Sequence, residues 1–138
     1  MKRFLKYSCY IFLFTFLILS CAKRKKRAAI EGVYMGEEHY VHIGPYGDTS
    51  SNDTYPLSIE LKFQDNGYFL LTKDTYPISY EIPSSKMVKY DSATHYEGLV
   101  PLHIWAIELE GDNLYGTFKE NNGWSGSYDH YYFKGVKN

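Results

Sequence analysis

The chain has 138 residues, a formal net charge of −1 and an aromatic content of 18%. Its charge is uneven: all sixteen acidic residues lie at or after Glu31, and only seven of the fifteen basic residues follow residue 27, so residues 28–138 carry a net charge of −9. A segment this acidic is excluded from binding nucleic acid through its surface field, because that field must be positive. Cys9 and Cys21 both precede the segment, so its core must be stable without a disulfide.

The first twenty residues have the pattern of a secretory signal. Lys2, Arg3 and Lys6 give a positive start, and residues 10–19 form an almost unbroken apolar run. A basic start, an apolar segment and a small residue at its end are typical of a signal that is removed after export. A membrane-spanning helix needs roughly 20 apolar residues. Even residues 7–22 provide only sixteen positions, so a span would be a short one.

The end of this segment, Ile18-Leu19-Ser20-Cys21, resembles the lipobox of bacterial lipoproteins. In a lipobox, an aliphatic residue, a tolerant position and a small residue precede an invariant cysteine. The resemblance covers residues 1–21. It implies that a diacylglycerol is attached to the Cys21 thiol, that the chain is cut between Ser20 and Cys21, and that the new amino terminus is acylated. Two or three acyl chains anchor a protein firmly, so the implied partner is membrane lipid.

Five basic residues, 23–27, follow the lipobox directly. In a cleaved lipoprotein they form a tether, and each adds about 1 kcal/mol of attraction to an anionic leaflet. The alternative is an uncleaved signal anchor, because positive charge after an apolar run tends to stay cytoplasmic. We expect a signal peptide at residues 1–20, a lipidated cysteine and basic tether at 21–29, and one folded domain at 30–138.

Apolar and polar residues alternate repeatedly in the domain, and no stretch has a sustained helical period. A hairpin is predicted at residues 57–73, where Asn66-Gly67 in the turn supplies the positive φ angles of a tight hairpin. A second hairpin is predicted at residues 105–118, with its turn at 110–113. The other predicted strands are 32–43, 78–82, 86–90 and a last one around 130–133, and the expected core aromatics are Trp105, Phe118 and Phe133.

These elements predict an all-β fold, a single small antiparallel barrel of about eight strands in up-and-down order, with a β-sandwich as the alternative. The stretches "EGVYMGEEHY" and "LSIELKFQDNGYFLLT" resemble the lipocalin-like barrels of small envelope lipoproteins of the Bacteroidetes type. These include the copper-stress and adhesion-sensing family. That family's Cys-x-x-Cys is missing here, where "EHYVHIG" stands, so its copper chemistry is not implied.

No group of residues indicates catalysis, and we expect no enzyme, no cofactor and no metal. His39 and His42 are three apart and would point to opposite faces of a strand, which prevents simple chelation. His95, His103 and His130 are scattered. The serines lack a Gly-x-Ser-x-Gly elbow, and no Gly-rich phosphate loop is present.

Aromatic residues near predicted loops are the candidate ligand contacts. Tyr46 and Tyr55 flank the loop at residues 44–56, and Trp124 lies in "NNGWSG". Exposed rings beside Asn and Asp suit stacking against a sugar, although ordinary loop packing gives the same pattern. Asp91-Ser92-Ala93 resembles the acceptor of the general O-glycosylation system of Bacteroidetes envelopes, which implies a glycan on Ser92 in a polar loop.

The sequence therefore predicts a lipid-anchored protein of the bacterial cell envelope that binds a small amphiphile or a glycan fragment. The stretch after Cys21 differs from the acidic surface-export signal of such bacteria, which implies a domain on the periplasmic side of the outer membrane. One alternative is an acidic module that binds a cationic protein, such as an inhibitor of a lysozyme-like hydrolase. The stretch "SGSYDHYYFKG" resembles loops of lysozyme-inhibiting lipoproteins, although their disulfide is missing here. A structural or assembly role is the other alternative.

Overall fold

The computed structural model describes residues 2–74, 79–97, 103–121 and 126–138. The chain divides into two compact units, Met1–Ile30 and Glu31–Asn138. The first unit is a single helix, α1 (Lys2–Ile30), on which Cys21 is exposed. Among the described residues, no helix combines the length and the apolar character needed to cross a membrane.

In the described residues, the second unit contains eight strands and one short helix. In chain order these are β1 (Gly32–Ile43), β2 (Thr49–Phe63), β3 (Tyr68–Lys73), β4 (Ser79–Pro83), α2 (Ser84–Tyr90), β5 (Ser92–Glu97), β6 (His103–Glu110), β7 (Asn113–Asn121) and β8 (Tyr128–Lys137). All eight strands belong to one antiparallel sheet in the order β4-β3-β2-β1-β8-β7-β6-β5. The predicted all-β, barrel-like fold of about eight strands is confirmed.

The sheet is a meander whose first and last strands are its central pair. Ten residues of β1 pair with β8, from Tyr34 opposite Lys137 to Ile43 opposite Tyr128. Gly36 lies opposite Gly135, and a Cβ on Gly36 would lie 2.0 Å from the carbonyl oxygen of Lys134. This close approach therefore requires glycine. Within the described residues the ladder ends at β4 and β5, which α2 connects.

Helix α2 replaces the strand predicted at residues 86–90, so that prediction was wrong. The helix buries Met87 completely and ends at Asp91, which adopts a left-handed conformation and donates its backbone N–H to the Met87 carbonyl at 2.9 Å. Seven residues are too few to display a helical period in the sequence, and a helix this short is stabilised mainly by its tertiary packing. The eighth strand is instead β5, which begins at Ser92.

Strand β2 begins at Thr49, inside the predicted loop at residues 44–56. The connection between β1 and β2 is therefore only the turn at residues 44–48, where Gly44 donates its backbone N–H to Asp48. Pro56 is the last residue of the predicted loop, and proline is uncommon within strands. It is accommodated because it pairs with Glu37 of β1 and lies outside residues 59–63, the part of β2 that pairs with β3.

Both predicted hairpins are confirmed. Residues 59–63 of β2 pair with β3, and residues 103–110 of β6 pair with β7. In the first turn, φ is positive at Gly67 (89°) but not at Asn66. The prediction that both Asn66 and Gly67 adopt positive φ in a tight hairpin is therefore wrong. The Gly67 N–H instead donates to Gln64 at 3.0 Å, as in a longer loop that closes with a left-handed glycine.

One face of the curled sheet encloses the core. Trp105, Phe118 and Phe133 are all buried there, as predicted. Tyr80 of β4 stacks on Phe118, with ring centroids 5.3 Å apart, and lies 6.0 Å from Trp105. The other strand side chains that are apolar and buried, among those that the structure describes, are Tyr34, Leu57, Ile59, Leu61, Phe69, Leu71, Ile82, Ile107 and Leu114.

Candidate functional site

The strands around the β1–β8 pair carry polar residues on both faces of the sheet. Successive side chains of a strand point to opposite faces. In β1 this places Glu38 on the inner face with the core and its neighbours Glu37 and His39 on the outer face. The two faces give these residues different partners, and each face is a candidate site.

On the inner face, Glu38 is fully buried and both of its carboxylate oxygens are bound. Oε2 accepts a hydrogen bond from the hydroxyl of Tyr55 at 2.7 Å, and Oε1 accepts one from Nζ of Lys73. A buried carboxylate is costly unless it is paired and hydrogen-bonded. Here three strands, β1, β2 and β3, together satisfy it.

Lys73 lies among aromatic rings as well as beside Glu38. Its Nζ is 3.9 Å from the ring centroid of Phe118 and 4.8 Å from that of Tyr131. Burial lowers the pKa of Lys73, and the carboxylates of Glu38 and Glu120 act in the opposite direction. Side chains of this inner polar layer (Glu38, Tyr55 and Lys73) thus occupy the interior of the curled sheet and cross-link its strands.

A second inner-face group links β1 to β8 near the turn at residues 44–48. Oδ1 of Asp129 accepts a hydrogen bond from the Tyr40 hydroxyl at 2.9 Å and lies 2.6 Å from Nδ1 of His42. A carboxylate can only accept, so Nδ1 of His42 is the protonated nitrogen. We interpret this group as a cross-strand lock, since one oxygen of Asp129 binds both β1 side chains.

On the outer face, a groove of about 490 Å³ lies across β2, β1, β8 and β7. The pairing of these strands brings two rows of side chains together. One row runs Glu37, Lys134, Tyr115, and the other runs Thr54, His39, Tyr132, Thr117. Gly116 and Phe133 also line the groove. Because the Phe133 ring is buried on the inner face, its backbone is the part that the groove presents.

The lining combines ring faces with hydrogen-bonding groups of both kinds. The carboxylate of Glu37 accepts, the ammonium of Lys134 donates, and the threonine and tyrosine hydroxyls do both. Nδ1 of His39 is 3.1 Å from Oγ1 of Thr54, and the His39 and Tyr132 rings lie 6.3 Å apart. Tyrosine offers an apolar face with a polar tip, so the groove suits a ligand with both C–H faces and hydroxyl groups.

An aromatic stripe continues from the groove along β8. Nδ1 of His130 is 2.8 Å from the hydroxyl of Tyr132, and its ring centroid is 5.0 Å from that of Tyr128. Nζ of Lys119 lies 3.8 Å from the Tyr128 centroid. Burial lowers the pKa of His130, and the charge of Lys119 lowers it further.

Tyr46 and Tyr55, the two predicted contact residues that the structure describes, lie in different environments. Tyr46 lies in the turn at residues 44–48 and is 96% exposed, whereas Tyr55 lies within β2 and binds Glu38. The prediction that Tyr55 is an exposed loop residue is therefore wrong. Trp124 lies outside the described residues. Ser92 is half-buried at the first position of β5, and so it is not in a polar loop.

His39 and His42 lie on opposite faces of β1, as their spacing indicated. His39 contacts Thr54 on the outer face and His42 contacts Asp129 on the inner face, while His130 belongs to the aromatic stripe. The side chains of His95 and His103 lie outside the described part of the chain. Across the described side chains, no three His, Cys, Asp or Glu residues are grouped closely enough to hold a metal ion.

No protein-family model matches this chain, and no curated protein matches it as a relative.

Sequence reasoning missed the residues that line the groove, namely Glu37, His39, Thr54, Tyr115, Thr117, Tyr132 and Lys134. Their alternation in each strand was visible, but the pairing of β1 with β8 that unites them was not. The inner polar layer left a clearer signal. Lys73 is in phase with the apolar residues Phe69 and Leu71, and this spacing indicates that its side chain faces the core.

Proposed function

We propose that this protein is a lipid-anchored binding protein of the bacterial cell envelope, and that its ligand is a saccharide held in the outer-face groove. The observation that carries the proposal is the lining of the groove. Tyr115 and Tyr132 offer ring faces, and Glu37 and Lys134 offer a charged acceptor and a charged donor within the same 490 Å³ space. A pyranose presents complementary groups, with C–H faces for the rings and hydroxyls for the charged side chains.

The packing of the interior supports the outer groove, and not the inside of the barrel, as the binding site. Glu38 and Lys73 meet there beneath the rings of Phe118 and Tyr131, and a ligand at that level would have to displace a satisfied ion pair. Exposing or separating such a pair is strongly unfavourable. Binding at the outer groove leaves the pair intact.

The binding proposal can be tested by titrating the full chain, held in phosphatidylcholine nanodiscs, with maltose, cellobiose, lactose and N,N′-diacetylchitobiose. Chemical-shift changes should concentrate on groove residues. Tyr132→Ala should weaken the best binder about tenfold, as expected for the loss of roughly 1.4 kcal/mol of ring contact. The matched control is Tyr46→Ala, which removes a fully exposed ring outside the groove and should leave the affinity unchanged. Loss of binding in the Tyr46 variant alone would assign the site to the turn instead.

The anchoring proposal depends on Cys21, which is exposed on α1. Intact mass of the protein extracted from bacterial membranes should show a chain that begins at Cys21 and carries acyl groups. Cys21→Ala should abolish cleavage and acylation, whereas Cys9→Ala, the matched control within the signal segment, should have no effect. Normal processing of the Cys21 variant would contradict the proposal.

The same mass spectrum would reveal a glycan on Ser92 as an added mass that Ser92→Ala removes.

A second candidate function, binding of a cationic hydrolase, is supported by the acidic hairpin between β6 and β7. Glu108, Glu110 and Asp112 are all exposed there. Binding of hen egg-white lysozyme at low salt that is lost at higher salt, and lost in the E108Q/E110Q/D112N variant, would favour this function. Absence of both saccharide and lysozyme binding would favour a structural role.

A further inference from the structure

The outer face carries an exposed apolar patch directly beside the groove. The patch consists of Val33, Met35 and Val136, whose side chains are 39%, 56% and 51% exposed. Met35 and Val136 are register partners across the β1–β8 pair. Each is two residues along its strand from a groove residue, Glu37 and Lys134 respectively, a separation of roughly 6.6 Å.

The patch and the groove form one surface with two kinds of chemistry. Along β1 from its amino end, the apolar pair is followed by the row of Glu37, Lys134 and Tyr115. The next row contains His39 and Tyr132. Polar residues border the apolar pair on either side, because Ser58 pairs with Met35 and Asn113 pairs with Val136. These contiguous apolar side chains, bordered by polar groups, offer an apolar contact surface beside the groove.

We propose that the ligand is an amphiphilic glycan, whose saccharide lies in the groove and whose aliphatic aglycone lies on Met35 and Val136. The inference rests on the proposed saccharide function and specifies the ligand class of the same site. The aglycone would be attached to the sugar that lies at the Glu37–Lys134 row. It would extend from there away from the His39 and Tyr132 rings, toward Met35 and Val136. The apolar pair is one row away, within reach of the first few methylenes of an alkyl chain.

Other occupants fit the patch less well. A stable dimer buries roughly 800 Å² on each partner, far more than three side chains supply. Charges of both signs border the patch, with Glu37 and Glu60 opposed by Lys134, so they give no net attraction to an anionic lipid surface. An alkyl chain attached to a sugar needs only the apolar pair itself.

The test compares methyl and butyl β-glycosides of the disaccharide that binds best in the panel, or of N,N′-diacetylchitobiose if none binds. The probes are titrated into the full chain in nanodiscs. Burying the additional methylenes should make the butyl glycoside bind about tenfold more tightly than the methyl glycoside. The M35T/V136T variant should lose this preference and keep its affinity for the methyl glycoside. Threonine is β-branched and common in strands, so the strands should be preserved.

The control variant is Tyr68→Thr, which makes a partly exposed side chain of β3 polar away from the groove and should leave the preference unchanged. Comparing the two glycosides within each variant cancels their different partition into lipid.

Equal affinity for both glycosides in the wild type would overturn the inference while leaving saccharide binding intact. A preference that persists in M35T/V136T would overturn the assignment of the patch. An effect of this variant on self-association or vesicle binding alone would assign the patch to a second copy or to lipid. Binding of neither glycoside would reject the saccharide function itself.

Discussion

Glu37 and Glu38 are neighbours in β1, yet the sheet gives them opposite roles. Glu38 is fully buried, and Tyr55 and Lys73 bind its two oxygens. Glu37 is exposed and lines an open groove with Lys134 and rings from other strands. The comparison shows that a polar residue stabilises this fold where its partners are buried. A polar residue is available to a ligand where its neighbours line an open groove.

The strongest test of this contrast is to remove the negative charge from each glutamate in turn. Glu38→Gln should lower the free energy of unfolding by about 3–5 kcal/mol, because it leaves the buried ammonium of Lys73 without its counter-charge. Glu37→Gln should change that free energy by less than about 0.5 kcal/mol, as at most exposed sites. Urea denaturation of both variants measures the difference. Similar losses in the two variants would refute the contrast.

A double-mutant cycle sharpens the assignment of the inner polar layer. Lys73→Met should also destabilise the fold, because Glu38 then remains buried with its charge. The E38Q/K73M variant has no buried charge and retains an acceptor for Tyr55, so it should recover about 2 kcal/mol relative to the sum of the single variants. Additive losses would mean that the two side chains act independently.

Alkaline pH should destabilise the inner face through Tyr34. Burial raises the pKa of Tyr34 to about 12, and the charge of Asp112 adds to this effect. A folded-state pKa above the ordinary value of 10 means that the native state holds the proton more tightly than the unfolded state. The contribution is complete below pH 10, and we expect about 1–2 kcal/mol to be lost as the pH rises from 10 toward 12. Urea midpoints across this range should fall more steeply in the wild type than in Tyr34→Phe, and equal slopes would exclude Tyr34 as the cause.

The smallest expected effect concerns His130 on the outer face. Its pKa is lowered by burial and by Lys119, so the folded state resists protonation and loses stability as the pH falls below about 6.5. Lys119→Met should move the pKa of His130 upward, toward but not to its ordinary value, because burial remains. An NMR titration of the imidazole measures this shift. The control, Lys62→Met, changes an exposed lysine of β2 and should not move it.

The sequence predicted the parts of the fold that depend on local pattern. The bounds of β1 followed from alternation, and both hairpins followed from turn residues near Gly67 and Gly111. The helix α2 was missed because its formation depends on burying Met87, and the first half of β2 was missed because Pro56 read as a loop residue. Both errors arise where tertiary contacts override local preference.

The candidate site was less predictable than the fold. Tyr46 and Tyr55 were chosen because they flank a polar stretch, yet one lies in a tight turn and the other is bound to a buried carboxylate. The groove residues come from strands far apart in the chain and meet only through the β1–β8 register. Alternation shows which face of a sheet a residue occupies, but it does not show which strand lies next to it. The groove could not be predicted because the pairing of distant strands does not follow from this pattern.

The central pairing of β1 with β8 also has a consequence for how the molecule assembles. Tyr40 and Asp129, which bind each other across this pair, are separated by 89 positions. A nascent chain that emerges from a ribosome or a translocation channel therefore displays β1 with one edge unpaired until β8 arrives. Contacts between residues so far apart in the chain form slowly. The groove, which is lined by both strands, cannot form before β8 has paired with β1.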